Sequence, residues 1–288
     1  MTRYKKSELI INPDKSVYHL NLKPGDVADT VLLVGDQGRV QSISKYFEKI
    51  DYKKQNREFV THTGYYKGKR ITALSTGIGA DNIDIVINEL DAAVNVDLNT
   101  RQLKDNHRSL KLIRLGTSGA IQPDIDVDTN VASAYAIGLD GLLYFYKFDK
   151  EVIEENMMNS FIEHTNWATE LSKPYIVKNS GELLNTIAYD MTQGITVTAP
   201  GFFGPQGREL RIPLAYPGLN SKFENFKFSN QRITNFEMET SAIYALGKIL
   251  GHETLTICTV IANRINKQYS LNYNKAVDKL IKTVLDRL

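Results

Sequence analysis

Arg114-Leu-Gly-Thr-Ser-Gly-Ala-Ile-Gln-Pro123 joins a guanidinium to glycines and hydroxyls. Before it, Leu110-Lys-Leu-Ile-Arg-Leu115 is an apolar-rich run of strand length. A strand that ends in Gly116, Thr117, Ser118 and Gly119 exposes backbone N–H groups at its carboxyl end, where α/β sheets hold ligands. Arg114 adds a fixed positive charge with a fork of donors suited to phosphate. Taken alone, the stretch reads at least as simply as a strand and a glycine turn, with Arg114 on a solvated edge. Recurrence shifts the balance. Gly35-Asp-Gln-Gly-Arg39 follows the apolar run Thr30–Val34, and Val40, Ile43, Tyr46 and Phe47 then recur at helical spacing. That order places an anion at a helix N-terminus, with Gly35 allowing close approach and Arg39 closing over it. A plain strand-to-helix turn explains it equally well. Ser75-Thr-Gly-Ile-Gly79 repeats the arrangement after Ile71–Leu74.

Other stretches carry different chemistry. Ala199-Pro-Gly-Phe-Phe-Gly-Pro-Gln-Gly-Arg208 combines two aromatic rings, an amide and a guanidinium. Phe202 and Phe203 offer faces for a flat heterocycle, and Gln206 with Arg208 offers partners for its carbonyl and N–H edge. A glycine/proline surface loop is the competing account, and it gives no reason for paired phenylalanines. In Phe236-Glu-Met-Glu239, Glu237 and Glu239 either favour the start of a helix or present acceptors to a vicinal diol. His19, in Val17-Tyr-His-Leu20, reads from its neighbours as a partly buried structural histidine. Arg57 and Glu58 are adjacent, so in a strand they face opposite sides and read as a solvated pair. Asp124-Ile-Asp-Val-Asp128 lacks the glycine and final glutamate of a calcium loop and is set aside.

The elements that must position these groups alternate strand and helix. Strands are expected at 30–34, 60–63, 71–74, 110–115, 130–134, 194–198 and 254–262. Ile83, Val86, Ile87 and Leu90 mark one amphipathic helix. Met238, Ala242, Ala245, Leu246 and Ile249 mark a second, and Val277 to Leu288 a third. Residues 150–172 are compatible with helix, with Trp167 as a packing residue, and 94–109 read as a polar surface excursion. Residues 1–29 look irregular. The 288 residues hold Lys+Arg 35 against Asp+Glu 33, a balance that gives no reason to expect a nucleic-acid or membrane surface. One cysteine, Cys258, in an apolar run excludes a disulfide framework. No run reaches membrane-spanning length, and no apolar core follows the basic N-terminus. The expectation is a soluble, cytoplasmic α/β protein, with residues 1–288 forming one domain.

In order and spacing, these pieces resemble the nucleoside phosphorylase-I family, and within it the members that act on uridine. The resemblance runs from Val17 to the C-terminus and includes Asn56-Arg-Glu-Phe59 and Ile261-Ala-Asn-Arg264. It implies a three-layer α/β/α fold with a mixed central sheet, and reversible phosphorolysis of uridine to uracil and ribose 1-phosphate. It also implies three subsites. Phosphate is held by Gly35, Arg39, Arg114 and Thr117, with Arg57 from a neighbouring subunit. Ribose is held by Met238 and Glu239, with the neighbour's His19, and Glu237 belongs to the same motif. The base is read by Gln206 and Arg208, with Phe202 against the ring. A homo-oligomer, dimer or hexamer, with shared sites follows. Arg208, Glu239 and Arg114 carry the catalysis by positioning and charge, with inorganic phosphate as co-substrate, no cofactor and no metal.

The chain departs from the family pattern in places. The glycine loop reads Val34-Gly-Asp-Gln37 instead of Pro-Gly-Asp-Pro, and the base loop reads Gln-Gly-Arg instead of Gln-Glu-Arg. The family's monovalent cation is held by a glutamate, a carbonyl and a serine. Here Glu58 and Ile78 match, but the serine position reads Asn82, which speaks against that site. Three alternatives stand beside the main reading. A purine phosphorylase carries an aspartate where this chain has Asn263, a water-using nucleosidase lacks the phosphate arginines, and a non-catalytic nucleoside binder has no use for them.

Overall fold

A computed structural model describes residues 3–288. In chain order the first strands are β1 (Thr30–Val34), β2 (Lys49–Asn56), β3 (Phe59–Tyr66), β4 (Lys69–Ser75), β5 (Val96–Asp97) and β6 (Gln102–Leu103). There follow β7 (Lys111–Ala120), β8 (Asn130–Gly138), β9 (Tyr175–Lys178) and β10 (Thr192–Thr198). The last are β11 (Lys227–Phe228), β12 (Gln231–Glu237), β13 (Glu253–Asn263) and β14 (Gln268–Tyr269). The helices are α1 (Gln37–Ser44), α2 (Ala80–Asn95), α3 (Glu155–Thr165), α4 (Gly181–Ile187), α5 (Leu219–Asn225), α6 (Thr240–Ile249) and α7 (Tyr273–Arg287).

β1 lies inside the sheet, paired in parallel with β4 on one side and β7 on the other. A strand covered on both faces needs apolar side chains throughout, and Val31, Leu32, Leu33 and Val34 are all fully buried. Their side chains alternate between layers. Val31 and Leu33 pack with α2 and α6, while Leu32 and Val34 pack with α1 and α7. Helices therefore cover both faces of the sheet, as the three-layer expectation requires. A third cluster joins α3 and α5 to β10 and β12, where Trp167 packs on Phe161 and Phe223 as expected of it.

The main sheet has twelve strands, with the path β11-β12-β10-β8-β13-β7-β1-β4-β3-β2, β9 added on β8 and β14 on β13. It is mixed. β13 runs parallel to β7 but antiparallel to β8. β12 also pairs with β7 through Asn235↔Ala120 and Phe236↔Gly119, so the strands β7, β13, β8, β10 and β12 close on themselves.

Three local readings need correction. The glycine-rich run 116–119 is not a turn, because β7 continues through it to Ala120, held by β13. β2 escaped the sequence reading because Lys49–Asn56 is an edge strand with charged, mostly exposed side chains, a common protection of sheet edges. Arg57 and Glu58 precede β3 as expected and form the tight turn that joins it to β2, with Arg57 at φ 52°. Helix α3 ends at Thr165 because Asn166 takes the left-handed conformation that stops a helix. The excursion after α2 holds the small β5–β6 ribbon and buries Val94, Val96 and Leu98. Among the described residues, no helix is long and apolar enough to cross a membrane.

Candidate active site

β1 stops at Val34, while β7 runs on for several residues past its last pairing, Leu33↔Arg114. The step leaves a notch at the carboxyl end of the central strands, and a cleft of about 940 Å³ opens there. Gly35, Asp36 and Arg39 line one wall and Arg114, Thr117, Ser118 and Gly119 the other. Asp36 caps α1 by accepting from the Gly38 N–H at 2.8 Å, which fixes the turn that carries Arg39. Arg39 in turn donates to the Leu115 carbonyl at 3.5 Å, next to Arg114. Burial first, and then the Arg114 charge, lowers the Arg39 pKa from its ordinary value. Two cations so placed call for an anion.

Arg114 is buried, and its Nε and Nη1 have no hydrogen-bond partner within the chain. Orphaned donors of a buried guanidinium are costly. An anion over Gly35 reaches Nη1, since a side chain added at Gly35 would lie 3.9 Å from it. The other edge of the guanidinium is engaged. Nη2 donates to Glu239 Oε2, and Nε lies 3.5 Å from Glu237 Oε2. Burial disfavours the Arg114 cation, but the charges of Glu239 and Glu237 more than offset it, so its pKa stands above the ordinary value.

The two glutamates sit differently. Glu239 also accepts from the Gly79 N–H at 2.9 Å and the Met238 N–H at 3.2 Å, and lines the cleft with Met238. Glu237 lines the cleft too, and other donors hold it. It accepts from the Thr198 hydroxyl at 2.6 Å, and from the N–H groups of Glu239 at 3.0 Å and Thr240 at 2.9 Å. These are the first donors of α6, which a carboxylate at a helix start satisfies well. Burial, and then the Glu239 charge, pushes the Glu237 carboxyl up to about 7, against Arg114 and the hydrogen bonds from Thr198 and Thr240. Glu237 lines the cleft together with Met238 and Glu239, and its carboxylate also supports the start of α6.

Across the cleft stand Phe202, Gln206 and Arg208. The Arg208 guanidinium lies 3.9 Å from the Phe202 ring centroid, and Nη1 donates to Gln206 Oε1 at 2.5 Å and to the Phe202 carbonyl at 2.6 Å. The stacked guanidinium and the amide so form one flat, donor-rich edge. Burial, then the nearby Arg264 charge, lowers the Arg208 pKa to about 10. Phe203 points to the other side of this loop, into a separate apolar cleft of about 780 Å³ with Trp167 and Leu210.

Arg264 was not assigned a role from sequence, yet it lines the cleft and donates to the Gln206 carbonyl at 3.0 Å. Its signal is position: it follows directly on β13, at the same edge of the sheet as Arg114. Asn263 is spent on structure, with Nδ2 donating to the carbonyls of Gln122 and Ile125 and Oδ1 accepting from the N–H groups of Ile265 and Asn266. His19 and Arg57 are not part of this chain's own cleft. His19 Nδ1 lies 2.6 Å from Glu89 Oε1, and the exposed Arg57 guanidinium lies 5.8 Å from the ring centroid of Tyr18, next to His19. Asn82 Nδ2 donates to the Ile78 carbonyl at 3.3 Å. Among the described residues, Asp91, His107 and His252 are close enough to share a metal ion. However, His252 Nδ1 accepts from the Leu110 N–H at 3.2 Å, which puts the ring proton on Nε2, facing Asp91. A proton fills the place of an ion.

Residues 29–287 match the Phosphorylase superfamily. A uridine phosphorylase of Thermococcus kodakarensis is 34% identical over 258 residues, covering 88% of this chain and 79% of the relative. A DeoD-type purine nucleoside phosphorylase of Bacillus subtilis is 28% identical, covering 84% and 85%. Among solved structures, a Trypanosoma brucei nucleoside phosphorylase described as showing uridine phosphorylase activity superposes with a TM-score of 0.86. It is 29% identical and covers 97% of this chain and 99% of its own. The mixed-sheet α/β architecture is thus that of nucleoside phosphorylases.

Proposed function

This chain belongs to the Phosphorylase superfamily, and from that premise we propose that it catalyses the reversible phosphorolysis of uridine, as a pentosyltransferase. The observation that carries the reading is the buried Arg114, with its unpartnered Nη1 beside Gly35 and its other edge on Glu239 and Glu237. An inorganic anion and a sugar diol are thereby held next to each other. Phosphate rests on Gly35, Arg39, Arg114 and Thr117. The ribose hydroxyls meet Glu239 and the Met238 backbone. The base lies against Phe202, with its polar edge on Gln206 and Arg208.

In the reaction a phosphate oxygen bonds to C1′ as the C1′–N1 bond breaks. The electron pair leaves on uracil, which then takes a proton, and ribose 1-phosphate remains. The transition state resembles an oxocarbenium ion, so the protein needs to position the partners and stabilise charge. Arg208 faces the negative charge growing on the leaving base. The Arg39 and Arg114 cations hold the nucleophile. Relatives include purine enzymes, but both functional ends of Asn263 are already bonded, which disfavours protonation of a purine from that position.

His19 and Arg57 stand side by side outside their own cleft, the arrangement needed to complete a neighbour's phosphate and ribose subsites. We therefore take the active form to be a homo-oligomer with shared sites, acting in the cytoplasm. The reading involves no monovalent cation, because the Asn82 amide already occupies the Ile78 carbonyl. Equal activity in potassium and sodium salts checks this. The deciding assay is a nucleoside panel with and without phosphate. Uridine consumed only with phosphate, with ribose 1-phosphate formed, is the expected result. Turnover without phosphate makes the protein a hydrolase, and a preference for inosine makes it a purine enzyme.

A further inference from the structure

We propose that Glu237 is the proton carrier of the anion site: it lies beside Arg114 and takes up a proton as the phosphate dianion enters. The inference rests on the phosphorolysis reading and adds to it a proton-carrying role for this carboxyl.

Charge counting over the observed groups motivates it. Two carboxylates, Glu237 and Glu239, share the cleft with two guanidinium groups, Arg114 and Arg39. A phosphate dianion over Gly35 adds two negative charges; the neighbour's Arg57 offsets one, and one surplus negative charge remains. Such a surplus in a poorly solvated site is relieved by protonating the carboxylate least stabilised as an anion. Glu239 is gripped directly by Arg114 Nη2 and by two backbone N–H groups. Glu237 has no direct hydrogen bond from the guanidinium, whose Nε lies 3.5 Å away, and relies on neutral donors alone, the Thr198 hydroxyl and the N–H groups of Glu239 and Thr240. Its carboxyl already stands near neutral pH for reasons of burial and of the Glu239 charge.

No other group facing Glu237 competes for the proton. From β7 comes Arg114, which is cationic. From β13 comes Cys258, whose thiol burial holds neutral with a pKa pushed up to about 12. From α6 comes Tyr244, held neutral by burial. From β10 comes the Thr198 hydroxyl. The protonated state also has a place for its hydrogen. Oε2 takes the Glu239 N–H and the shorter of the two contacts from the Thr240 N–H, 2.9 Å against 3.1 Å to Oε1, so the proton belongs on Oε1, toward Thr198. Thr198 Oγ1 accepts the Ser241 N–H at 2.9 Å and has a second lone pair to offer.

The test is calorimetric titration of the purified full-length enzyme with inorganic phosphate at about pH 8.5, where free phosphate is already a dianion. Two buffers of different ionisation heat report the proton count. Wild type should take up close to one proton per phosphate. Its phosphate affinity should fall by up to about tenfold per pH unit between about pH 8 and pH 9. Glu237→Gln mimics the protonated carboxyl and keeps an oxygen for Glu239 and Thr240. Its uptake should drop to near zero, and its affinity should become flat with pH. Wild-type binding without proton uptake overturns the inference whether or not the variant folds. So does undiminished uptake in Glu237→Gln. If no phosphate binds to wild type at all, by heat or by thermal shift, the phosphorolysis reading itself falls.

Discussion

Replacing Arg208 by alanine separates function from folding most cleanly. The guanidinium sits half-exposed on Phe202 and gives Nη1 to Gln206 Oε1 and to the Phe202 carbonyl. Its loss removes two charge-assisted hydrogen bonds, each of which in dry surroundings contributes about 1.5–3 kcal/mol. Here the residue borders an open cleft, so water replaces most of that, and about 1–2 kcal/mol is the upper range. For a chain of this size each kcal/mol moves the midpoint by roughly 2–4 °C, so Tm should fall by less than about 8 °C. Catalysis should suffer much more. Removing a donor aimed at charge that develops in the transition state costs about 10²–10³ in rate. Arg208→Lys keeps the charge but loses the planar fork and the stack, and should fall in between. The same residue predicts a pH limit. Its pKa is lowered to about 10, and the cation is the working form, so wild-type kcat/KM should decline as pH rises toward and through 10. The assay is steady-state kinetics with uridine and saturating phosphate, beside a thermal melt. A loss of kcat/KM below about tenfold, or a loss fully explained by unfolded enzyme, refutes the role assigned to Arg208.

Two further variants probe the anion side. Gly35→Ala adds a methyl 3.4 Å from the Gly77 carbonyl, an ordinary contact, but it fills the space in front of Arg114 Nη1. Its Tm should match wild type while the KM for phosphate rises at least about tenfold, as read from phosphate saturation curves. Arg114→Gln leaves Glu237 and Glu239 buried without their cation. Breaking such a set costs about 3–5 kcal/mol, so the melt should drop by roughly 6–20 °C and phosphate saturation should disappear.

Much of the cleft was legible because its residues follow apolar strand runs. Thr30–Val34 before Gly35 and Thr254–Ala262 before Asn263 are continuous, β-branched-rich runs of a kind only a strand covered on both faces needs. What stayed hidden depended on pairing between distant segments. The glycines at 116 and 119 look like a turn in sequence, yet β13 and β12 hold them in a strand. Glu237 and Glu239, two residues apart, look equivalent, yet Thr198 and the start of α6 hold one while Arg114 and Gly79 hold the other. Charged Lys49–Asn56 shows no apolar alternation, since an edge strand has solvent on both sides of most of its residues. Arg264 carried no local signal beyond its place after a strand.

Arg114 is locked opposite Leu33 on one flank and Thr256 on the other. A slip of β7 by one residue would send its guanidinium to the opposite layer, among the apolar side chains of α1 and α7. The receptor for the anion therefore cannot form ahead of the central strands or survive their mispairing. During renaturation, the moment at which added phosphate begins to protect the chain against heat should mark the joining of segments more than a hundred residues apart, a step expected to be slow.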